Sequence, residues 1–168
     1  HLLKEEGFIN KDEPSEGDGS LSLSLTLLGK TAAQIREIHC LVFSRLYADK
    51  KLDGLSTMQL VALFSCFTNI RVQEDKRDIV PKSEDAGVNT IVDEVVTMYH
   101  SYKDREVSRN INTGFDYDIQ YDLLNYVQKW CDAETLEDCK FVLQELGEKK
   151  EIFLGEFVKA LLKINNIS

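Results

Sequence analysis

The chain has 168 residues, 43% of them hydrophobic and 29% charged, with a formal net charge of −9 at pH 7. That length suits one domain, or one with a short appendage, and the composition is that of an ordinary globular protein rather than a disordered or fibrous one. No run approaches the roughly 18 apolar residues of a membrane span, no basic and apolar leader marks a signal peptide, and the acidic balance argues against a domain that grips a phosphate backbone alone.

In chain order, Leu2, Leu3 and Phe8 open inside an apolar pattern, so the sequence reads as a piece cut from a longer polypeptide. Residues 10–20, with Pro14, Gly17 and Gly19 among charged residues, form a flexible loop by composition. Residues 1–20 are therefore assigned to the end of a preceding region, and residues 21–168 to the main domain. Leu21, Leu23, Leu25 and Leu27 alternate with Ser and Thr, which predicts a short extended segment over 21–27. A short helix over 30–37 follows Gly29, and a second over 39–50 carries Leu41, Val42, Leu46 and Ala48.

Asp53 and Gly54 break that helix, and Ser56 is placed to cap the next one, since its hydroxyl can accept from backbone N–H groups two or three residues on. Leu60, Leu63, Phe64 and Phe67 then give one apolar stripe over 56–68. After a polar loop at 73–87 containing Pro81, residues 88–102 form a long helix with Ile91, Val92, Val95, Val96, Met98 and Tyr99 inward. Asn110, Asn112 and Gly114 interrupt the periodicity. Three helices complete the chain: 117–131 with Ile119, Tyr121, Leu124, Val127 and Trp130, 134–146 with Leu136, Phe141, Val142 and Leu146, and 152–164 with Phe153, Phe157, Leu161, Leu162 and Ile164. Six or seven helices joined by mostly short loops make an all-α bundle, with no internal repeat.

Chemistry-bearing motifs are few. Cys40, Cys66, Cys131 and Cys139 lie in or beside apolar segments, none in a C-x-x-C pair, which reads as buried reduced thiols of a cytosolic or nuclear protein rather than a zinc site. Asp49, Asp53 and Gly54 imitate part of a calcium loop, but Lys51 puts a cation at a ligand position and Leu60 replaces the closing Glu. No phosphate-binding glycine loop or acidic helicase box is present, and His1, His39 and His100 are scattered. The chain carries no catalytic residues and no cofactor site of its own.

The wording of several segments is more specific than their periodicity. The run ending Leu55-Ser56 … Ala62-Leu63-Phe64-Ser65-Cys66-Phe67 closely resembles "dLs…ALLScF", near the start of the C-terminal helical (DSHCT) domain of superkiller-type and exosome-associated DExH-box RNA helicases. Leu3 to Ile9 resembles the end of the winged-helix region that precedes it, and Leu27 to Ile35 is similar to "LKGRVACEI", with Gly29, Lys30, Ala32 and Ile35 in register. Residues 90–99 occupy the place of the long central helix. Leu123 to Cys131 resembles "LMEVVYEWC", Thr135 opens a segment similar to "sFxEI", and Gly155 to Ile164 resembles "EGSLIRMFRRL". Departures from the pattern, such as Thr31 at the arginine of "KGR" and Ala133-Glu134 in place of a glycine before "sF", identify a divergent member.

The resemblance implies an accessory domain of an ATP-dependent RNA helicase acting in RNA processing or decay. In such enzymes two RecA-like domains bind ATP and Mg, and the helical domain packs beneath them to complete a channel for single-stranded RNA. The arginine of "LIR" faces the strand there. Its position is held here by Lys159, with Lys163 one turn on and on the same face. Lysine keeps the charge but loses the planar fork and stacking surface of arginine. Glu94, on the central helix, matches a polar family position that also faces the strand. The implied partners are the strand, the motor domains and subunits of an RNA-decay complex, in a cytoplasmic or nuclear setting. Two other readings remain open on the sequence: a channel that takes DNA, and a non-catalytic helical adaptor that docks other proteins.

Overall fold

The structure, a computed structural model, describes residues 2–10 and 23–167. Residues 11–20 of the loop expected over 10–20, and the start of the expected extended segment at Leu21 and Ser22, lie outside the described residues. Eight α-helices occur among them: α1 (Leu2–Glu5), α2 (Leu27–Gln34), α3 (Cys40–Ala48), α4 (Thr57–Ser65), α5 (Ala86–Ser108), α6 (Leu124–Asp132), α7 (Leu136–Lys150) and α8 (Leu154–Ile167). The all-α class holds. The chain divides into two compact units, His1–Asp53 and Gly54–Ser168.

In the first unit, α2 packs on α3. Instead of a strand, the alternating leucines contribute one antiparallel bridge, Leu25 with Ile9. Asn10 N–H donates to the Ser24 carbonyl at 2.9 Å and Thr26 N–H to the Phe8 carbonyl at 3.1 Å. The extended stretch ends sooner than predicted because Thr26 caps α2, its hydroxyl accepting from Gly29 N–H at 3.0 Å, so Leu27 is already helical. Arg45 of α3 donates to the Glu6 carbonyl at 2.5 Å and lies 5.6 Å from the centre of the buried Phe8 ring.

Gly29 is required where it stands. A Cβ there would fall 2.1 Å from the Phe8 carbonyl oxygen, well inside contact distance. The Gly29→Ala variant is expected to lose about 1–3 kcal/mol through overpacking, read as a lower urea midpoint with an unchanged slope.

The second unit is built around α4, which packs against α5, α6 and α8, while α7 packs on α6. Ser56 caps α4 as its sequence predicts and does more: Gln59 returns the bond, its side-chain oxygen accepting from Ser56 N–H at 2.8 Å. Gln59 also donates to Asp85 Oδ2 at 2.9 Å, joining the starts of α4 and α5. Asp85 in turn caps α5, accepting from Gly87 N–H at 2.7 Å and Val88 N–H at 3.2 Å. The Gln59 bond, and after it the Val88 amide, hold this carboxyl below the usual aspartate range.

Ala62, Leu63, Val88, Ile91, Val92, Val95, Tyr99, Leu124, Val127, Leu146 and Phe157 are buried. The stripes predicted for α4 and α5 hold at Leu63, Phe64, Ile91, Val92, Val95 and Tyr99.

Two expectations for the second half of the chain need correction at the level of helices and their buried faces. Residues 117–123 are not helical, and α6 begins only at Leu124. Side chains in the residues leading into this stretch take over backbone donors: Asn112 Oδ1 accepts from Gly114 N–H and Asp116 Oδ1 from Asp118 N–H. Such local bonds compete with helix formation, and Gln120 N–H donates instead to the Cys66 carbonyl at 3.1 Å. Leu136, Phe141, Phe153 and Leu162, predicted inward, are between 59% and 66% exposed. Both α7 and α8 carry apolar residues on more than one face, and only one face of each meets its neighbours.

Candidate nucleic-acid interface

Helix α8 starts after a sharp reversal. Glu151, at φ 57°, ends α7 in the left-handed conformation, and Glu156 folds back so that its carboxylate accepts from Phe153 N–H at 3.2 Å. Phe157, Ala160 and Ile164 then recur at helical spacing and are buried. Phe157 is fully buried, with its ring edge-on to Trp130 at 5.2 Å between centres. These three residues fix the rotation of α8 and so decide where its other side chains point.

Lys159 is exposed and Lys163 half-buried. One turn apart, they share a face of α8 turned away from the buried stripe. Neither forms an ion pair among the described residues. Most cations nearby in sequence are committed: Lys149 and Lys129 both pair with Glu145, whose carboxyl their hydrogen bonds hold below its ordinary range. Leu154, Val158 and Leu162 form a second exposed line at i, i+4 and i+8 beside the lysines.

Glu94 is half-buried on α5 and is engaged by neighbouring groups. The structure does not gather it with the two lysines into a single cluster. Glu94 and the lysines sit on separate helices that both pack on α4. The helix that opens with Ser56 is thus the scaffold that carries both arms, and its own Leu63 and Phe64 are buried.

A polar centre that the sequence reading did not find lies at the C-terminal end of α7. Lys150, 9% exposed, donates to Asp78 Oδ2 at 2.6 Å, Asp122 Oδ1 at 2.8 Å and the Lys76 carbonyl at 2.7 Å. Asp122 Oδ1 also accepts from Asp78 N–H at 2.8 Å. Burial acts to lower the Lys150 pKa, but the hydrogen bonds that Lys150 donates to Asp122 and Asp78, together with their charges, outweigh it and the value is raised. Nothing in Lys149-Lys150 marks one lysine as buried. The signal is a helix position one turn after the buried Leu146, which places residue 150 on the inward face.

Cys66 is buried, and burial pushes its thiol up, whereas Cys131 is exposed rather than buried as expected. No group of three or more His, Cys, Asp or Glu side chains among the described residues is arranged to hold a metal ion. No helix among them is long and apolar enough to cross a membrane.

An acidic all-α bundle whose last helix presents two lysines, without ion-pair partners among the described residues, beside an apolar line is the class of protein that fold and surface define. The sequence matches the DSHCT (NUC185) domain family over residues 22–167, and the chain belongs to that family. DSHCT domains are C-terminal domains of helicases such as those of the superkiller type. No curated protein matches the sequence.

Proposed function

We propose that this chain is the accessory helical domain of an ATP-dependent RNA helicase, lining part of the RNA channel and bracing the RecA-like motor core. The observation that carries the reading is the outer face of α8 in a chain of this family: Lys159 and Lys163, one turn apart and without ion-pair partners among the described residues. Two lysines on one face suit successive phosphates of a single strand, contacts that position the strand without reading its sequence. Glu94, on the second helix carried by α4, would meet the strand elsewhere as a polar contact.

The net charge of −9 fits a domain that touches a strand held mainly by others. ATP and Mg belong to the motor domains, and RNA processing or decay in the cytoplasm or nucleus is the setting. The exposed line Leu154, Val158 and Leu162 supports docking against protein, either the motor core or, in the adaptor reading, another subunit.

In the complete helicase, Lys159→Glu should weaken single-stranded RNA binding and RNA-stimulated ATPase activity with the fold intact. Loss of one phosphate contact on a single strand lowers the slope of log affinity against log salt by about 0.7. Filter binding over a salt series checks this. Unchanged affinity at low salt would remove Lys159 from the channel.

A further inference from the structure

A cleft of about 300 Å³, apart from α8, opens where three segments of the second unit meet. Helix α5 supplies Val96 and His100, one turn apart, the stretch before α6 supplies Tyr117 and Tyr121, and the loop before α5 supplies Arg77 and Ile79. These walls are held from behind. Gln120 N–H donates to the Cys66 carbonyl, Tyr117 packs edge-on to the buried Tyr99 ring at 5.7 Å, and Asp78 is fixed by Asp122 and Lys150. The groups lining the cleft are open to solvent: His100 and Ile79 are exposed, Tyr117 and Tyr121 half-buried, and the Arg77 and Asp118 side chains 35% and 40% exposed. Arg77 gives an N–H to Asp118 Oδ1 at 2.6 Å, and its other donors and Asp118 Oδ2 form one donor–acceptor edge. The Tyr121 hydroxyl makes no hydrogen bond among the described residues, and burial pushes its pKa up, so it stays protonated and able to donate.

Size and charge narrow the ligand. The volume stands at the lower end for ligand pockets, room for one ring system rather than a larger molecule. Glu74 and Asp118 against Arg77 leave one negative charge on the walls, since Asp78 is cancelled by Lys150. That balance repels a phosphate, while a cation meets the Arg77 guanidinium. A neutral planar ring with polar edges suits both: tyrosine and histidine rings offer it stacking surfaces, and Arg77 with Asp118 offers its edge a donor and an acceptor. Unstacked nucleobases are recognised in this way, on aromatic side chains and by hydrogen bonds along their edges. We propose that this cleft receives one unstacked base of a single strand, against Tyr121 and His100 and with Arg77 and Asp118 at its edge. The inference rests on the RNA reading above and adds to it a base contact separate from the phosphate contacts of Lys159 and Lys163.

The test is a titration of the whole chain with each of the four ribonucleosides, followed by backbone amide NMR. Saturable shifts are expected at His100, Asp118 and Tyr121. Ribose 5-phosphate, which lacks the base, should bind at least about tenfold more weakly, a difference of about 1.4 kcal/mol. Tyr121→Leu removes the ring and should weaken nucleoside binding about tenfold, within the range for one lost base stack, while Tyr121→Phe keeps the ring and most of the binding. His100→Ala, at an exposed position, should weaken it about fivefold at an unchanged melting temperature, so a folding defect in Tyr121→Leu does not decide the outcome. In the complete helicase, Tyr121→Leu should weaken single-stranded RNA binding with an unchanged salt slope, whereas Lys159→Glu lowers that slope. Absence of saturable shifts with all four nucleosides, equal binding of ribose 5-phosphate, or undiminished binding by His100→Ala and Tyr121→Leu would each overturn the proposal. The nucleosides carry no phosphate, so such a failure leaves the Lys159 test standing, and a failure of that test leaves the nucleoside shifts standing.

Discussion

Replacing Lys150 with methionine should cost the protein about 3–5 kcal/mol, the range for removing one partner of a buried ion pair. The side chain of Asp122 is only 2% exposed, and its Oδ1 receives both Lys150 and the Asp78 amide. Methionine fills much of the lysine volume but leaves that carboxylate charged, buried and short of its main donor. Since small domains are stable by about 5–15 kcal/mol, the loss takes a large share of the total, visible as a much lower urea midpoint. Adding Asp122→Leu should return a substantial part, because a buried pair replaced on both sides by apolar groups is often nearly neutral. A double variant no better than Lys150→Met would show that the cost lies in packing, not in stranded charge.

The pH dependence has a definite sign. The Lys150 pKa is raised on folding. Its contribution is therefore complete below the ordinary lysine value near 10.4 and is lost as pH rises through the higher folded value. The stability difference between the native protein and Lys150→Met should be flat through neutral pH and shrink only in strong alkali. A difference that shrank on approach to neutrality would exclude the ion pair as its source.

Phe157→Ala is the second large effect, again about 3–5 kcal/mol, through lost transfer energy and the cavity left behind. The ring is fully buried and packs edge-on against Trp130. Its consequence reaches function, because Phe157 sets the rotation of the helix that carries Lys159 and Lys163. In the complete helicase this variant should lose RNA binding together with thermal stability, measured side by side. Lys159→Glu should lose the first and keep the second, and that contrast separates a residue that holds the helix from one that meets the strand.

Much of the fold was legible because it depends on local rules. Ser56 capping α4, the break around Asn110 to Gly114, and the stripes of α4 and α5 all follow from periodicity and capping chemistry within a few residues. The failures share a cause. Tyr117 to Leu123 has helical spacing but spends its backbone on side-chain bonds and on Cys66, fifty-four residues before Gln120. Leu162 is apolar yet exposed, because α8 offers two apolar faces and one was chosen by packing on α4. The positions proposed to meet RNA were legible only through resemblance to a family, since a lysine on a helix surface carries no local signature.

The sequence alone determined the all-α class, most helix starts and membership of the DSHCT family over residues 22–167, properties written in spacing and in order along the chain. Tertiary structure decided which apolar face of α8 is covered and that Lys150 is a buried counter-ion rather than a surface charge. The reason is physical: periodicity fixes which residues share a face, but burial and charge pairing depend on what that face meets, and Asp78, Asp122 and Lys150 come together only when the chain closes on itself.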